Sequence, residues 1–488
     1  MRFFAALLAT LLLTACNSSG PGPMAIDRLQ PCKIDQGPTD AYCGKLNVFE
    51  NRKTKQGRKI DLKIVVMPAL RRDPKADPIF FFAGGPGQGA AKLAEQLGMM
   101  FRRFQNSRDL VMIDQRGTGD SNPLNCEMVE KGQEKDDLAE ISSADSMARF
   151  RKCLAEYKAD ASQYTTPIAM DDIDEIRQYL GYKQINLWGA SYGTRAALVY
   201  LRQHPDSVRA VIIDGVAPPD MRLPLYMTRD SQRSLDLLLD ACEKDKTCQA
   251  KFPALKTTVQ AVLNRADSKT RIKVIHPRTG EHFDVPLSPD AIRSVIFSSL
   301  YAPTVAALLP RLLKDASQGD FQGLFAMGFV GEGGNGDGIS QGMFLSVACA
   351  EDMPKITQAD IDRESAKGFF GKTMFETRMK ACEFWPKGEI GDDYYKPVVS
   401  DKPVLILSGE ADPVTPPEWG EHVRKHLKNS KHIVVPGAGH GVSSLGCMPK
   451  IMMKFLDEAS TGGLDATCVK TQQRPPFFVN YSGPEAGR

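Results

Sequence analysis

Six short apolar runs constrain the fold of this chain more than any other feature. They fall at 79–82, 110–113, 185–188, 211–213, 404–407 and 433–435. They are near-continuous rather than alternating, so each reads as a strand buried on both faces. Helical patterns lie between several of them, at 170–180 and 192–203 for instance. Such strands alternating with helices predict a mostly parallel α/β sheet. Functional groups in a sheet of this kind sit in loops at the carboxyl ends of strands. The conspicuous loops here all follow those runs: Gly84-Gly85-Pro86-Gly87, Asp114-Gln115-Arg116-Gly117, the turn at 189–193, and the segments beginning at Gly409 and Gly437.

The rhythm changes after Pro218-Pro219. From 220 to 399 the chain reads as mainly helical, with one hairpin over 271–286 turning near Thr279-Gly280. A glycine-rich stretch, 328–342, reads as a surface loop rather than a moving lid. The pattern predicts a large helical cap inserted between strands of the sheet. The core then has two parts, 32–219 and 400–470, followed by a tail at 471–488. Residues 44–68 read as two strands around a polar turn at 53–58. A length of 488 residues accommodates this division.

The formal net charge is only +3, which gives no reason to expect a nucleic-acid partner. No apolar run approaches the roughly 20 residues of a membrane-spanning helix. The N-terminus instead carries Arg2 and then 3–13, apolar except for Thr10. That suits a signal-peptide core. Leu13-Thr14-Ala15-Cys16 follows and resembles a bacterial lipobox, with 1–15 removed and lipid attached to Cys16. Residues 16–31 would form a tether. The expectation is an exported lipoprotein anchored in a membrane. Asn17, rather than Asp, after the cysteine points to the periplasmic face of the outer membrane.

The chain has 11 cysteines, and the ten other than Cys16 form an even set in an exported chain. That favours disulfides. Neighbours along the chain suggest Cys32–Cys43, Cys126–Cys153, Cys242–Cys248, Cys349–Cys382 and Cys447–Cys468, although spacing alone leaves the connectivity open. No Cys-x-x-Cys pair or Cys/His cluster points to a metal, and no cofactor is implied.

Gly189-Ala190-Ser191-Tyr192-Gly193 fits the G-x-S-x-G pattern of a nucleophile elbow, with an apolar strand before it and a helix after it. A serine needs a base. Of 7 histidines, His440 alone stands in a glycine-rich loop directly after an apolar strand. The imidazole in turn needs an acid to fix its tautomer. Asp412 follows the run at 404–407 and is preferred to Glu410, because the turn at Pro413 fixes its position. The order Ser191, Asp412, His440 is that of the α/β-hydrolases. Backbone amides of Gly85 and Tyr192 are the expected oxyanion donors.

These motifs together resemble α/β-hydrolases of the proline iminopeptidase and tripeptidyl aminopeptidase type. The matching segments are 84–87, Asp114-Gln115-Arg116-Gly117-Thr118-Gly119-Asp120-Ser121, the elbow, 409–413 and Gly439-His440-Gly441. The resemblance spans roughly 43 to 470. The long cap, the even cysteines and Cys349-Ala350-Glu351 favour the tripeptidyl aminopeptidase branch. Ala83 stands where proline iminopeptidases usually carry His, which argues against strict proline specificity. The resemblance implies a serine exopeptidase acting on peptide substrates through an acyl-enzyme. It also implies cap carboxylates that hold the substrate's free amine, with Glu351 the first candidate and Glu383 the second. Asp114 and Arg116 are expected to brace their loop. Trp385 and Phe369-Phe370 are expected to pack in a core rather than line an apolar pocket. A carboxylesterase with the same triad is the alternative, favoured if Glu351 faces solvent. A non-catalytic binding lipoprotein is the third reading.

Overall fold

The computed structural model describes residues 26–34, 40–71, 73–126, 143–332 and 338–484. The signal segment at 1–15, Cys16 and most of the tether lie outside the described residues.

The sheet strands are β1 (Gln30–Lys33), β2 (Asp40–Phe49), β3 (Lys59–Met67), β4 (Ile79–Phe82), β5 (Leu110–Ile113), β6 (Ile185–Ala190) and β7 (Val208–Asp214). A separate hairpin, β8 (Asp267–Ile275) and β9 (His282–Leu287), comes next, and β10 (Val404–Gly409) and β11 (Ser430–Val435) complete the main sheet. Its nine strands run in the order β1-β2-β3-β5-β4-β6-β7-β10-β11. From β5 to β11 every pairing is parallel, while β1, β2 and β3 add an antiparallel edge. All six apolar runs are strands of this sheet.

Side chains alternate faces along a strand, and both faces are covered here. Phe80 and Phe82 join one apolar cluster with the helices Thr166–Tyr179 and Tyr192–Gln203. Ile79 and Phe81 join the other, with Phe101, Trp188 and the helix Met448–Glu458. After β4 the chain moves outward to β5, and then crosses back to β6 on the other side of β4. Connections leave in opposite directions at this point, which opens a crevice at the strands' carboxyl ends. The glycine loop follows β4 and Ser191 follows β6.

The chain between β7 and β10 is mainly helical and holds its own core. Leu238, Val262, Ile296 and Leu312 meet Val274 and Val285 of the hairpin there. Two features depart from the linear division of the sequence. Phe477 of the tail is buried in that cluster, and the Tyr481 hydroxyl donates to Asp315 at 2.6 Å. Phe150 and Ala161, from the first core segment, pack with Leu345, Cys349 and Trp385 of the cap. Neither contact has a local sequence signal, because both are set by burial between distant segments.

The stretch 328–342 also differs from a simple loop. Gly328 lies within the helix Gln322–Glu332, and Gly342 lies within the helix Gln341–Val347 with its N–H donating to the Leu124 carbonyl at 2.8 Å. Residues 333–337 are outside the described set. Glycines enter helices where close packing excludes a side chain, and a Cβ on Gly342 would lie 2.6 Å from the Leu124 oxygen.

Candidate active site

Ser191 sits between β6 and the helix Tyr192–Gln203 with φ 56° and ψ −126°. For a residue with a side chain this is a strained conformation, costing of order 1–3 kcal/mol. The neighbours show what permits it. A Cβ on Gly189 would lie 2.2 Å from the Gly193 carbonyl oxygen, and one on Gly193 would lie 2.0 Å from the Phe82 oxygen. Only glycine fits either place, which is the physical content of the G-x-S-x-G pattern. The Ser191 N–H donates to the Asp214 carbonyl at 3.0 Å, tying the turn to β7. The residue itself remains partly exposed.

Asp412 and His440 come together from the loops after β10 and β11. Asp412 is fully buried, and its Oδ2 lies 2.8 Å from His440 Nδ1. Its Oδ1 accepts the N–H groups of Val414 and Thr415, each at 2.8 Å. The Thr415 hydroxyl donates to Oδ2 at 2.8 Å and lies 3.2 Å from His440 Nδ1. Burial by itself would raise the Asp412 pKa, but His440 and these donors hold it below the usual carboxylate value. Burial pulls the His440 pKa down, yet Asp412, with Asp214 behind it, outweighs this and leaves it raised. The pair is thus arranged to stabilise an imidazolium. Glu410 accepts the Gly437 N–H at 2.8 Å and faces solvent, so it fastens the start of the histidine loop instead.

Gly215, immediately after β7, lies against the imidazole. A Cβ there would lie 3.1 Å from His440 Cε1. No hydrogen bond joins the Ser191 hydroxyl to the His440 ring among the described residues. Bonds of this type often tighten only when substrate is bound.

The glycine loop closes the other side of the serine. A Cβ on Gly84 would lie 3.3 Å from that of Ser191, and Gly85 has φ 110°. Tyr192 is the first residue of its helix, where main-chain N–H groups lack helical partners and favour negative charge. Of the two expected oxyanion donors, Tyr192 directly follows Ser191 and Gly85 directly follows Gly84. Asp114 supports the loop from below, accepting N–H groups from Ala91 at 2.8 Å and Asp120 at 2.9 Å. Burial pushes its carboxyl up to about 6 against those donors. Arg116 makes a two-pronged pair with Asp172, at 2.6 and 2.8 Å. Asp114 thus braces its own loop through Asp120, and Arg116 ties that loop to the helix Thr166–Tyr179.

Glu351 is placed differently from the sequence expectation. It is wholly buried in a π-helical turn, Ala348–Asp352, and is turned into the protein. One oxygen accepts the Thr166 N–H at 2.6 Å. The other takes the Thr166 hydroxyl at 2.8 Å and the Tyr394 hydroxyl, with Arg195 at 3.6 Å. The Tyr192 hydroxyl meets Thr166 Oγ1 at 2.6 Å, so this network lies against the elbow helix. Both oxygens are engaged by internal donors, and the carboxylate does not face solvent. Its one counter-charge, Arg195, comes from the elbow helix, which the sequence does not place beside it. Glu383 is exposed on the helix Thr373–Phe384. Trp385 is buried and donates to Ser346 at 3.1 Å. Phe369 and Phe370 stack on each other, and Phe370 also packs on Phe297.

Three site residues escape the sequence reading. Asp214, at the end of β7, accepts the N–H groups of Val442 and Ser443 and the Ser443 hydroxyl, the last at 2.6 Å. Its position directly after an apolar run was the available signal. Thr415 is three residues beyond Asp412. Tyr301 of the cap packs edge-on to the His440 ring at 5.2 Å and accepts the His440 N–H at 2.9 Å, and nothing in the sequence marks it.

All five expected disulfides are present: Cys32–Cys43, Cys126–Cys153, Cys242–Cys248, Cys349–Cys382 and Cys447–Cys468. Among the described residues no group of His, Cys, Asp or Glu is arranged to hold a metal.

Comparison with known proteins gives an independent view. Residues 77–239 match the family described as alpha/beta hydrolase fold, and 367–468 match the one described as TAP-like protein. Tripeptidyl aminopeptidase from Streptomyces coelicolor is 25% identical over 469 residues, covering 90% of this chain and 85% of that protein. Serine protease Hip1 from Mycobacterium tuberculosis is 25% identical over 493 residues, covering 93% and 90%. Proline iminopeptidase from Aeromonas sobria is 28% identical over 196 residues, covering 40% and 39%.

Proposed function

Since the chain is a hydrolase of the α/β-hydrolase fold, we propose that it is a serine exopeptidase releasing single residues or short peptides from free N-termini. The observation that carries this reading is the strained Ser191 beside Gly84, one strand from the buried Asp412–His440 pair. Ser191 Oγ attacks the scissile carbonyl, and His440 takes its proton and later gives it to the leaving amine. Asp412 holds Nδ1–H of His440 and stabilises the imidazolium. The amides of Gly85 and Tyr192 receive the developing oxyanion. Water then releases the acyl group. The names of the tripeptidyl aminopeptidase and Hip1 relatives favour peptides over simple esters as substrates.

The lipobox at Cys16 and the five disulfides support export and membrane anchoring, and Asn17 is the feature that favours the periplasmic face of the outer membrane. Disulfides persist in oxidising compartments of that kind.

The test uses protein lacking residues 1–16. One peptide is supplied with a free N-terminus and again acetylated, alongside a simple acyl ester. Cleavage of the free peptide alone, lost in Ser191→Ala, is the expected result. Cleavage of the ester with neither peptide touched would replace the reading with a carboxylesterase.

A further inference from the structure

A cavity of about 400 Å³ lies under the cap. One lining residue touches the glycine loop, and another is linked through two rings to His440. Ile339 lines it and abuts the glycine loop, since a Cβ on Gly87 would lie 2.8 Å from Ile339 Cγ2. Phe370 lines it too, and a relay of edge-on rings runs from there. Phe370 meets Phe297 at 5.0 Å, Phe297 meets Tyr301 at 5.2 Å, and Tyr301 meets His440 at 5.2 Å. The cavity is therefore placed to receive part of an acyl substrate held at Ser191.

One charge in this wall is unmatched. Arg378 projects from the helix Thr373–Phe384, whose far end is pinned by Cys349–Cys382. It lines the cavity and is partly buried. Its guanidinium lies over the Phe344 ring at 4.8 Å and has no hydrogen bond or ion pair among the described residues. The carboxylate that shares the cavity, Asp290, is held by Arg293 at 2.7 Å. Asp352 makes its pair with Arg195 at 3.0 Å. Desolvation pulls the Arg378 pKa down to about 10, with Tyr301 and Asp352 opposing it. A buried cation without an anion is costly, and guanidinium is shaped for two-pronged binding of carboxylate.

We propose that Arg378 is a substrate-binding residue that pairs with a carboxylate of the peptide, so that this cavity selects acidic substrates. The carboxylate is either the C-terminus of a short peptide or an Asp or Glu side chain. The inference rests on the exopeptidase reading for the kind of molecule that carries it. The guanidinium's lack of a partner stands apart from that reading.

Two peptide pairs with free N-termini test it. One pair is a short peptide as free acid and as C-terminal amide. The other is one amidated peptide with Glu and with Gln at the same position. Charge-assisted hydrogen bonds in a desolvated site give an expected preference of roughly tenfold or more in kcat/KM for the carboxylate member of at least one pair. That ratio falls toward one in Arg378→Met and stays above one in Arg378→Lys. The pair that responds identifies the source of the carboxylate. Should Arg378→Met fail to fold, Arg378→Gln gives the same readout. Ratios near one for both pairs in the unaltered enzyme overturn the proposal, as does a preference that survives loss of the charge. Calorimetry on the Ser191→Ala protein reads the same ratios as Kd. If no peptide is turned over, the exopeptidase reading fails, and these binding ratios still decide the role of Arg378.

Discussion

The carboxylate of Asp214 grips the Ser443 hydroxyl at 2.6 Å while the Asp214 carbonyl accepts the Ser191 N–H at 3.0 Å. One residue at the end of β7 therefore anchors both the elbow and the loop that carries His440. Replacing Asp214 with Ala leaves the buried N–H groups of Val442 and Ser443 without acceptors. A loss of about 2–5 kcal/mol in stability is expected, read by denaturant unfolding. Unchanged stability would show that the loop is held by something else.

Gly193→Ala places a methyl 2.0 Å from the Phe82 oxygen, where only main chain can give way. Overpacking of this kind costs about 1–3 kcal/mol. The larger effect should fall on turnover, since β4 carries the glycine loop that the shift would displace. A single-turnover burst as large as that of the unaltered enzyme would contradict this.

Activity should rise with pH through the titration of His440, because only the neutral imidazole accepts a proton from Ser191. Asp412 favours the charged ring, so the inflection is expected above the ordinary histidine value of 6.5. Asp412→Asn removes the anion. The inflection should then move down, with kcat lower by roughly 10³–10⁴. A kcat/KM profile that is flat from pH 5 to 8 in the unaltered enzyme would rule out His440 as the base.

Thr415→Val keeps the shape and deletes the hydroxyl that donates to Asp412. The expected result is a fall in kcat of about tenfold, matching the loss of one hydrogen bond to a charged group, with KM little changed. A change confined to KM would place Thr415 in substrate binding instead.

Glu351→Ala leaves the Thr166 N–H and the Tyr394 hydroxyl without their acceptor in a dry interior, while Arg195 keeps Asp352 at 3.0 Å. Leaving buried donors unmatched costs about 1–3 kcal/mol each, so the variant should melt well below the unaltered protein. If Glu351 held the substrate's amine, the melting point would stay put and KM for free peptides would rise.

The elbow motif was legible in the chain because its residues are contiguous. Gly189 must be glycine because of the Gly193 carbonyl within the motif, while Gly193 must be glycine because β4 brings the Phe82 carbonyl against it. Asp412 and His440 stand in loops that follow continuous apolar runs, and such runs become buried parallel strands wherever they fall. The cysteine pairs are close neighbours in sequence, so proximity along the chain sufficed. The surroundings of Glu351 were not legible, for the opposite reason. Its partners are Thr166, Arg195 and Tyr394, all more than forty residues away in sequence. Burial decides whether a carboxylate meets substrate or a buried arginine, and no local pattern encodes it.

The sequence by itself determined the parallel sheet, the elbow, the triad order and the interruption that becomes the cap. These follow from hydrophobic periodicity and from glycine sterics, which act over a few residues. Only the tertiary structure decided the rest. The relay from Phe370 to His440, the tail buried at Phe477 and the unpaired charge of Arg378 all arise where segments far apart in the chain are pressed together. The energy of a charge depends on what surrounds it in space, and that is fixed only when the chain closes on itself.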